Sequence, residues 1–162
     1  MNVSFIGSGN LAWHLAPALD NTDYAVKEVY SANTVNAKAL VARLYHAAVK
    51  SNLDFSSSTS RIFIIAVSDD AITDVAHEIV LPDNAVLIHT SGSQPLDILG
   101  DATTERIGVF YPLQTFTKDR KVDFSDIPVF IESEDRNTET LLMNMARAIS
   151  KKVLKISSAE RK

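Results

Sequence analysis

The stretch Asn2-Val3-Ser4-Phe5-Ile6-Gly7-Ser8-Gly9-Asn10-Leu11-Ala12 decides how this chain is read. An apolar strand runs into a pair of glycines and opens straight onto a helix. Gly7 permits the tight turn out of the strand, and Gly9 lets a pyrophosphate approach the backbone with no Cβ in the way. Ala12 takes the third small position, where helix and strand pack closely. The first N–H groups of the helix, with the positive end of its dipole, then face the phosphates. Ser8, Asn10 and Leu11 are the residues whose N–H groups would meet them, and the Asn10 side chain can add a bond or cap the helix. An ordinary strand–turn–helix spells similar letters. The strand before and the helix behind favour a dinucleotide cradle.

The 162 residues are enough for one domain with a real core, at 46% hydrophobic and 22% charged. A formal net charge of −4 without a basic stripe argues against nucleic acid as a partner. Cysteine is absent, which excludes disulfides, a thiolate nucleophile and Cys-ligated metal. No apolar run approaches the roughly 20 residues that span a bilayer, so no membrane partner is expected. The first strand begins at residue 2 with no charged leader ahead of it, and a cytoplasmic location is the expectation.

Outward from the glycine loop, strand and helix patterns alternate along the whole chain. That alternation predicts an α/β fold, a doubly wound and mainly parallel sheet with helices on both faces. Strands are expected at 3–6, 26–30, weakly at 47–49, at 61–67, 85–89, 107–111, 127–131 and 153–156. The run Ile62-Phe63-Ile64-Ile65 fits a central strand buried on both sides. Helices are expected at 11–19, 35–45, from Asp70 as cap to about Val80, and through Leu141, Leu142, Met145 and Ile149. Pro82-Asp83-Asn84 reads as a turn. Residues 1–156 form the expected dinucleotide-binding domain. Residues 157–162 are expected to begin a linker to a further domain, since no substrate lobe is visible before them.

In a doubly wound sheet, ligands sit beyond the carboxyl ends of the strands. After the second strand comes Ser31-Ala32-Asn33-Thr34, where an NAD site places an acid about 20 residues past the glycines. No acid stands there, and hydroxyl and amide donors can meet a 2′-phosphate, so NADP is favoured with NAD still open. A helix-capping turn explains the same residues, and no arginine is adjacent. After the fourth strand, Ser68-Asp69-Asp70 reads as a structural loop rather than an acid/base pair. Thr90-Ser91-Gly92-Ser93-Gln94-Pro95 lacks the glycine two before Ser91 that a nucleophile elbow needs, and reads as a polar loop near the nicotinamide. Tyr111 and Gln114 are candidates for orienting a substrate. The four histidines show no metal spacing, and His89 alone falls near the expected cleft, as a buried hydrogen-bonded side chain.

The motifs GSGNLA, VYSANT, IIAVSDDAI, LIHTSGS and GVFYPLQTFTK, in that order, resemble the NADP oxidoreductases of the pyrroline-5-carboxylate reductase-like, Rossmann-fold superfamily. The likeness is to a bacterial branch that carries a C-terminal helical domain of unknown function, and related labels mention coenzyme F420-dependent NADP oxidoreductases. It implies cofactor contacts at Gly7, Ser8, Gly9, Asn10, Leu11, Ser31, Asn33, Val67, Ser68, Thr90 and Ser91. The group often has arginine where this chain has Ala32, which weakens the 2′-phosphate assignment. The helical domain, expected to begin near where this chain stops, would supply homodimer contacts and much of the substrate pocket.

Together these readings imply the NAD(P)-binding domain of an oxidoreductase that moves hydride between nicotinamide and a small C=O or C=N substrate. No catalytic residue is assigned, and these residues alone are expected to turn over little. The alternative from another class is a non-catalytic domain that senses nucleotide. A methyltransferase is disfavoured by the missing acid after the second strand.

Overall fold

The computed structural model describes residues 1–161, and Lys162, the last residue of the expected linker, lies outside them. Strands β1 (Asn2–Ile6), β2 (Ala25–Tyr30), β3 (Ala48–Lys50), β4 (Ile62–Ile65), β5 (Val86–His89), β6 (Ile107–Pro112), β7 (Val129–Glu132) and β8 (Val153–Lys155) form one sheet in the order β3-β2-β1-β4-β5-β6-β7-β8. Every pairing is parallel except β6 with β7. From β1 the chain winds outward through β2 to β3. It then crosses back to β4 on the other side of β1 and continues to β5 and β6. The β1/β4 boundary is therefore the switch point, where a crevice opens beyond the strand ends.

Helices α1 (Asn10–Asp20), α2 (Thr34–Val41) and α4 (Arg136–Arg147) share one face of the sheet, and α3 (Ile72–Glu78) lies on the other. The strand residues sort by parity, as a pleated strand requires. Ile62 and Ile64 pack with Leu15, Ala16, Leu40 and Met145, whereas Phe63 and Ile65 pack with Phe55, Ile72, Ala76 and Leu99. All four residues of β4 are fully buried, so the unbroken apolar run does mark a strand covered on both faces. Among the described residues no helix is long and apolar enough to cross a membrane.

Two expected helices end early, each for a visible reason. The helix read over 35–45 stops at Val41, because Arg43 and Leu44 donate to the carbonyls of Leu40 and Val41 and tighten the chain out of α-helical spacing. The Asp20 carboxylate then holds the Tyr45 N–H at 2.8 Å and the Val26 N–H at 2.9 Å, pinning the following turn to the start of β2. The helix expected to run from an Asp70 cap to Val80 is instead a 3-10 turn, Asp69–Ala71, followed by α3. Asp70 makes no capping bond; Ala71 occupies the cap position. The helix stops at Glu78 because Val80 is drawn into a parallel bridge with Asp54, its N–H on the Leu53 carbonyl and its carbonyl on the Phe55 N–H.

After β8, Ser158–Arg161 forms a single helical turn, α5, packed back against β7 and the loop after β5. The central layer carries the stability. Phe63→Ala removes a fully buried ring that meets Phe55 edge-on at 5.2 Å between centroids. It is expected to cost about 3–5 kcal/mol in urea denaturation, with the slope of the transition unchanged.

Candidate functional site

The glycine loop is built by a close approach of backbones. Gly7 leaves β1 with φ +116°, and its N–H donates to the Tyr30 carbonyl at 2.7 Å. A Cβ on Gly7 would stand 2.2 Å from the Ala66 carbonyl oxygen, so no other residue fits between the ends of β1, β2 and β4. Gly9 behaves differently. A Cβ there would meet nothing within 4 Å, so the space outside it is open. Gly9 caps α1 without any side-chain bond, and the first turn of that helix holds no acidic residue. Its leading N–H groups and positive dipole end are thus available to an anion, and the residues present fit a pyrophosphate.

Beside this loop lies a cavity of about 390 Å³, into which Gly7, Ser8, Gly9, Ser31, Val67 and Ser68 all project lining atoms. The Ser8 hydroxyl donates to Ser31 Oγ at 2.8 Å, and the Asn33 N–H donates to the same oxygen at 3.1 Å. A hydroxyl that accepts twice has its own hydrogen left to give. Ser31 is therefore a committed donor at the rim of the cavity. Asn33 Oδ1 accepts from the Asn36 N–H at 3.1 Å and caps α2, as its capping reading required. No acid stands at the end of β2. Glu28 sits lower in the strand, and its carboxylate is taken by Ser4 at 2.7 Å and Ser58 at 2.5 Å.

The opposite wall was missed in the sequence. Ala71, Asp74, Val75 and Glu78 line it from the start and one face of α3. Their spacing of three, four and seven residues is the helical signal that could have found them. Of the other expected cofactor residues, Asn10, Leu11, Asn33, Thr90 and Ser91 do not line this cavity. Asn10 and Leu11 sit on the first turn of α1 beside Gly9.

Thr90 and Ser91 belong to the other half of the crevice, where the loops after β4 and β5 meet the end of β6. Thr90 donates its hydroxyl to the Ile65 carbonyl at 3.2 Å, bridging the tops of β4 and β5. Ser91 Oγ accepts from the N–H groups of Ser93 and Gln94 at 3.2 and 3.1 Å. Ser93 donates to Asp69 Oδ2 at 2.8 Å, which gives Asp69 a structural partner. The Tyr111 ring lies on Gly92 so closely that a Cβ there would come within 2.5 Å of it. Tyr111 thus belongs to this loop cluster, whereas Gln114 is exposed on the turn beyond.

His89 is fully buried, with Nε2 3.0 Å from the Pro95 carbonyl and Nδ1 accepting the Ser91 N–H at 3.0 Å. Burial holds its pKa below the ordinary 6.5, outweighing the bond to Pro95; the Arg161 charge lowers it further, against Asp69 and Glu132. Among the described residues, no three metal-ligating side chains cluster.

A glycine turn leading into an open helix end, at the switch point of a doubly wound parallel sheet, defines a dinucleotide-binding Rossmann domain. The chain belongs to the NADP oxidoreductase, coenzyme F420-dependent family, whose model matches residues 2–92. Over 99% of its length it superposes on a Bacteroides fragilis protein assigned as an NADP oxidoreductase, at 32% identity and a TM-score of 0.89, covering 62% of that chain. A Thermotoga maritima protein is 21% identical with a TM-score of 0.76, covered over 59% of its length by 99% of this chain. Prephenate dehydrogenase from Aquifex aeolicus, solved with hydroxyphenyl propionate and NAD+, shares the fold at 13% identity and a TM-score of 0.82, again over 99% of this chain and 61% of that one. The chain therefore spans about three fifths of the length of these structures. No curated protein matches it.

Two glycines in one loop should respond oppositely to the same methyl group. Gly7→Ala is expected to lose more than about 2 kcal/mol of stability. Gly9→Ala should stay within about 1 kcal/mol of the parent in denaturant, yet bind dinucleotide about tenfold more weakly by calorimetry.

His89 sets a pH dependence of known sign. Its folded pKa lies below its unfolded value, so the folded state binds fewer protons and stability falls as pH drops through 6.5 towards the folded pKa. The lowered carboxylates Asp54, Asp123, Asp135 and Glu160 act only below their ordinary values of 3.8 and 4.5, a separate window. Denaturation between about pH 7 and 5 should show this loss, and His89→Gln should flatten it.

Proposed function

We propose that this chain is the cofactor domain of an NAD(P)-dependent oxidoreductase that uses NADP in preference to NAD, acting on a small C=O or C=N compound in the cytoplasm. The observation that carries the reading is the single cavity in which the Gly7–Gly9 loop, the committed Ser31 donor and the end of β4 come together. In this reading the α1 N-terminus and Gly9 hold the pyrophosphate. Ser31 donates to the 2′-phosphate, and the wall formed by Val67, Ala71 and Val75 covers the adenosine. The loop carrying Thr90 and Ser91, with Tyr111 of β6 against it, stands at the β4–β6 half, where the second mononucleotide of a dinucleotide belongs. The nicotinamide, when bound, supplies the hydride chemistry.

Preference for the phosphorylated cofactor rests on charge and donors. A carboxylate at the end of β2 would repel a 2′-phosphate, and there is none; the cavity's carboxylates, Asp74 and Glu78, stand on the opposite wall, on α3. At β2 the neutral Ser31 donor takes its place, without a guanidinium, so the discrimination is modest. Residues 1–156 are the cofactor domain in this reading. Residues 157–162 lead to a C-terminal helical domain that completes the substrate pocket and pairs two subunits. The solved relatives, of which this chain covers 59–62%, are long enough to carry such a domain.

Titration with NADPH and NADH, followed by nicotinamide fluorescence, tests the reading. NADPH should bind several-fold more tightly, and Ser31→Ala should erase most of that difference while changing NADH little. Ala32→Arg should raise NADPH affinity about tenfold by adding a charged donor at the rim. Tighter binding of NADH by the parent protein would overturn the preference. Binding of neither would overturn the function.

A further inference from the structure

The loop from Thr90 to Leu96 has no regular secondary structure before its last residue, yet its polar groups are held from every side. From beneath, buried His89 bridges its two ends. The Ser91 N–H can only donate and the Pro95 carbonyl can only accept, so the ring is held as the neutral tautomer with its hydrogen on Nε2. From the sheet side comes α5. Arg161, with 1% of its side chain exposed, bonds both Glu132 of β7 and the Gln94 carbonyl. Ser158 donates to Glu132 Oε1 at 2.7 Å and accepts the Leu96 N–H at 3.0 Å. From the β4 side Asp69 holds Ser93, and the Tyr111 ring lies against Gly92. Apart from those of His89, the contacts are distant in sequence, and the Arg161–Gln94 bond spans 67 residues.

Stability does not account for the Arg161–Glu132 pair. Taking two charges out of water costs about what their attraction returns, and Arg161 Nε is buried without any partner. What the pair does achieve is placement. Its fork fixes the backbone at Gln94 to one side, while His89 fixes Ser91 and Pro95 from below. A loop without a strand or helix of its own acquires a single geometry at the β4–β6 half of the crevice, which is what a site for a reacting ring requires.

We propose that His89 and Arg161 are positioning residues for the nicotinamide half of the cofactor, holding the Ser91–Gln94 backbone as the wall against which that ring is set. The proposal rests on the dinucleotide reading above. Neither residue touches the adenosine cavity, so their effect is confined to the far half of the ligand.

Calorimetry with paired ligands separates the halves. One of each pair is the better-bound of NADPH and NADH. The other is the matching fragment without nicotinamide, 2′-phospho-ADP-ribose or ADP-ribose. Arg161→Gln and His89→Gln should each weaken the whole dinucleotide about tenfold and leave the fragment within about twofold. Arg161→Lys, which keeps the charge and loses the fork, should stay close to Arg161→Gln. A general loss of folding would weaken both ligands together and overturn the proposal, as would an unchanged dinucleotide affinity. The parent protein supplies a second measurement that needs no variant. The ¹⁵N resonances of His89 should show the Nε2–H tautomer and move on adding dinucleotide but not fragment. Resonances that ignore the dinucleotide, or respond equally to both ligands, would overturn it. A parent protein that binds neither dinucleotide nor fragment would refute the dinucleotide reading itself, a result distinct from either of these.

Discussion

The structure turns on the contact between Gly7 and the Ala66 carbonyl. A side chain at position 7 would stand 2.2 Å from that oxygen, so β1 and β4 can converge at their ends only if residue 7 is glycine with positive φ. That convergence has two consequences. It lets Ala66 donate to the Ile6 carbonyl at 2.7 Å and Gly7 donate to Tyr30, tying three strand ends into one rim. It also sends the chain straight into α1, whose first N–H groups are then aimed over the switch point. One missing Cβ thus fixes both the topology of the crevice and the polarity of what can enter it.

On either side of that contact the two halves of the crevice solve different problems. The β1–β3 half must discriminate charge, and it does so with a short relay. Ser8 from the glycine loop loads the oxygen of Ser31, and the Asn33 N–H loads it again, so the donor direction is set by the fold. The β4–β6 half must place a loop, and it recruits partners from remote elements to do so. Asp69, Tyr111, Glu132 and Arg161 come from four segments to hold seven residues. The Ser8–Ser31 bond of the first half spans 23 residues, whereas the Arg161–Gln94 bond of the second spans 67. This difference governs how much of each could be read in advance.

The glycine loop, the acid-free end of β2 and the doubly buried β4 were legible because each depends on a few adjacent residues. Ile62 to Ile65 are apolar on both parities, and only a strand covered on two faces uses such a run. The end of α2 was less legible, because the Asp20 carboxylate that captures Tyr45 lies 25 residues earlier. Asp70 offered the chemistry of a helix cap but falls inside a 3-10 turn, where its side chain has no helix N–H to meet. The α3 wall of the cavity was present as spacing, but a helical face looks the same whether it lines a ligand or a core. His89 was foreseeable as buried and hydrogen-bonded. Its bond partners were not, since Pro95 reaches it only because the loop folds back on itself. Arg161 gave no signal at all: a basic residue in Ser-Ala-Glu-Arg reads as solvated, and only the tertiary fold shows it enclosed.

Enclosing that arginine changes how the end of the described chain is understood. Ser158 donates to Glu132 and accepts the Leu96 N–H, which ties this turn to the domain before it. The turn contributes backbone and side-chain bonds to the loop after β5, in the half of the crevice that lies beyond the adenosine cavity. Arg161 donates to the Gln94 carbonyl, and the Gln94 N–H donates to the Ser91 hydroxyl, so hydrogen bonds run without a break from α5 to Ser91. The guanidinium sets direction as well as distance, because its fork meets the Glu132 carboxylate and the Gln94 carbonyl at once.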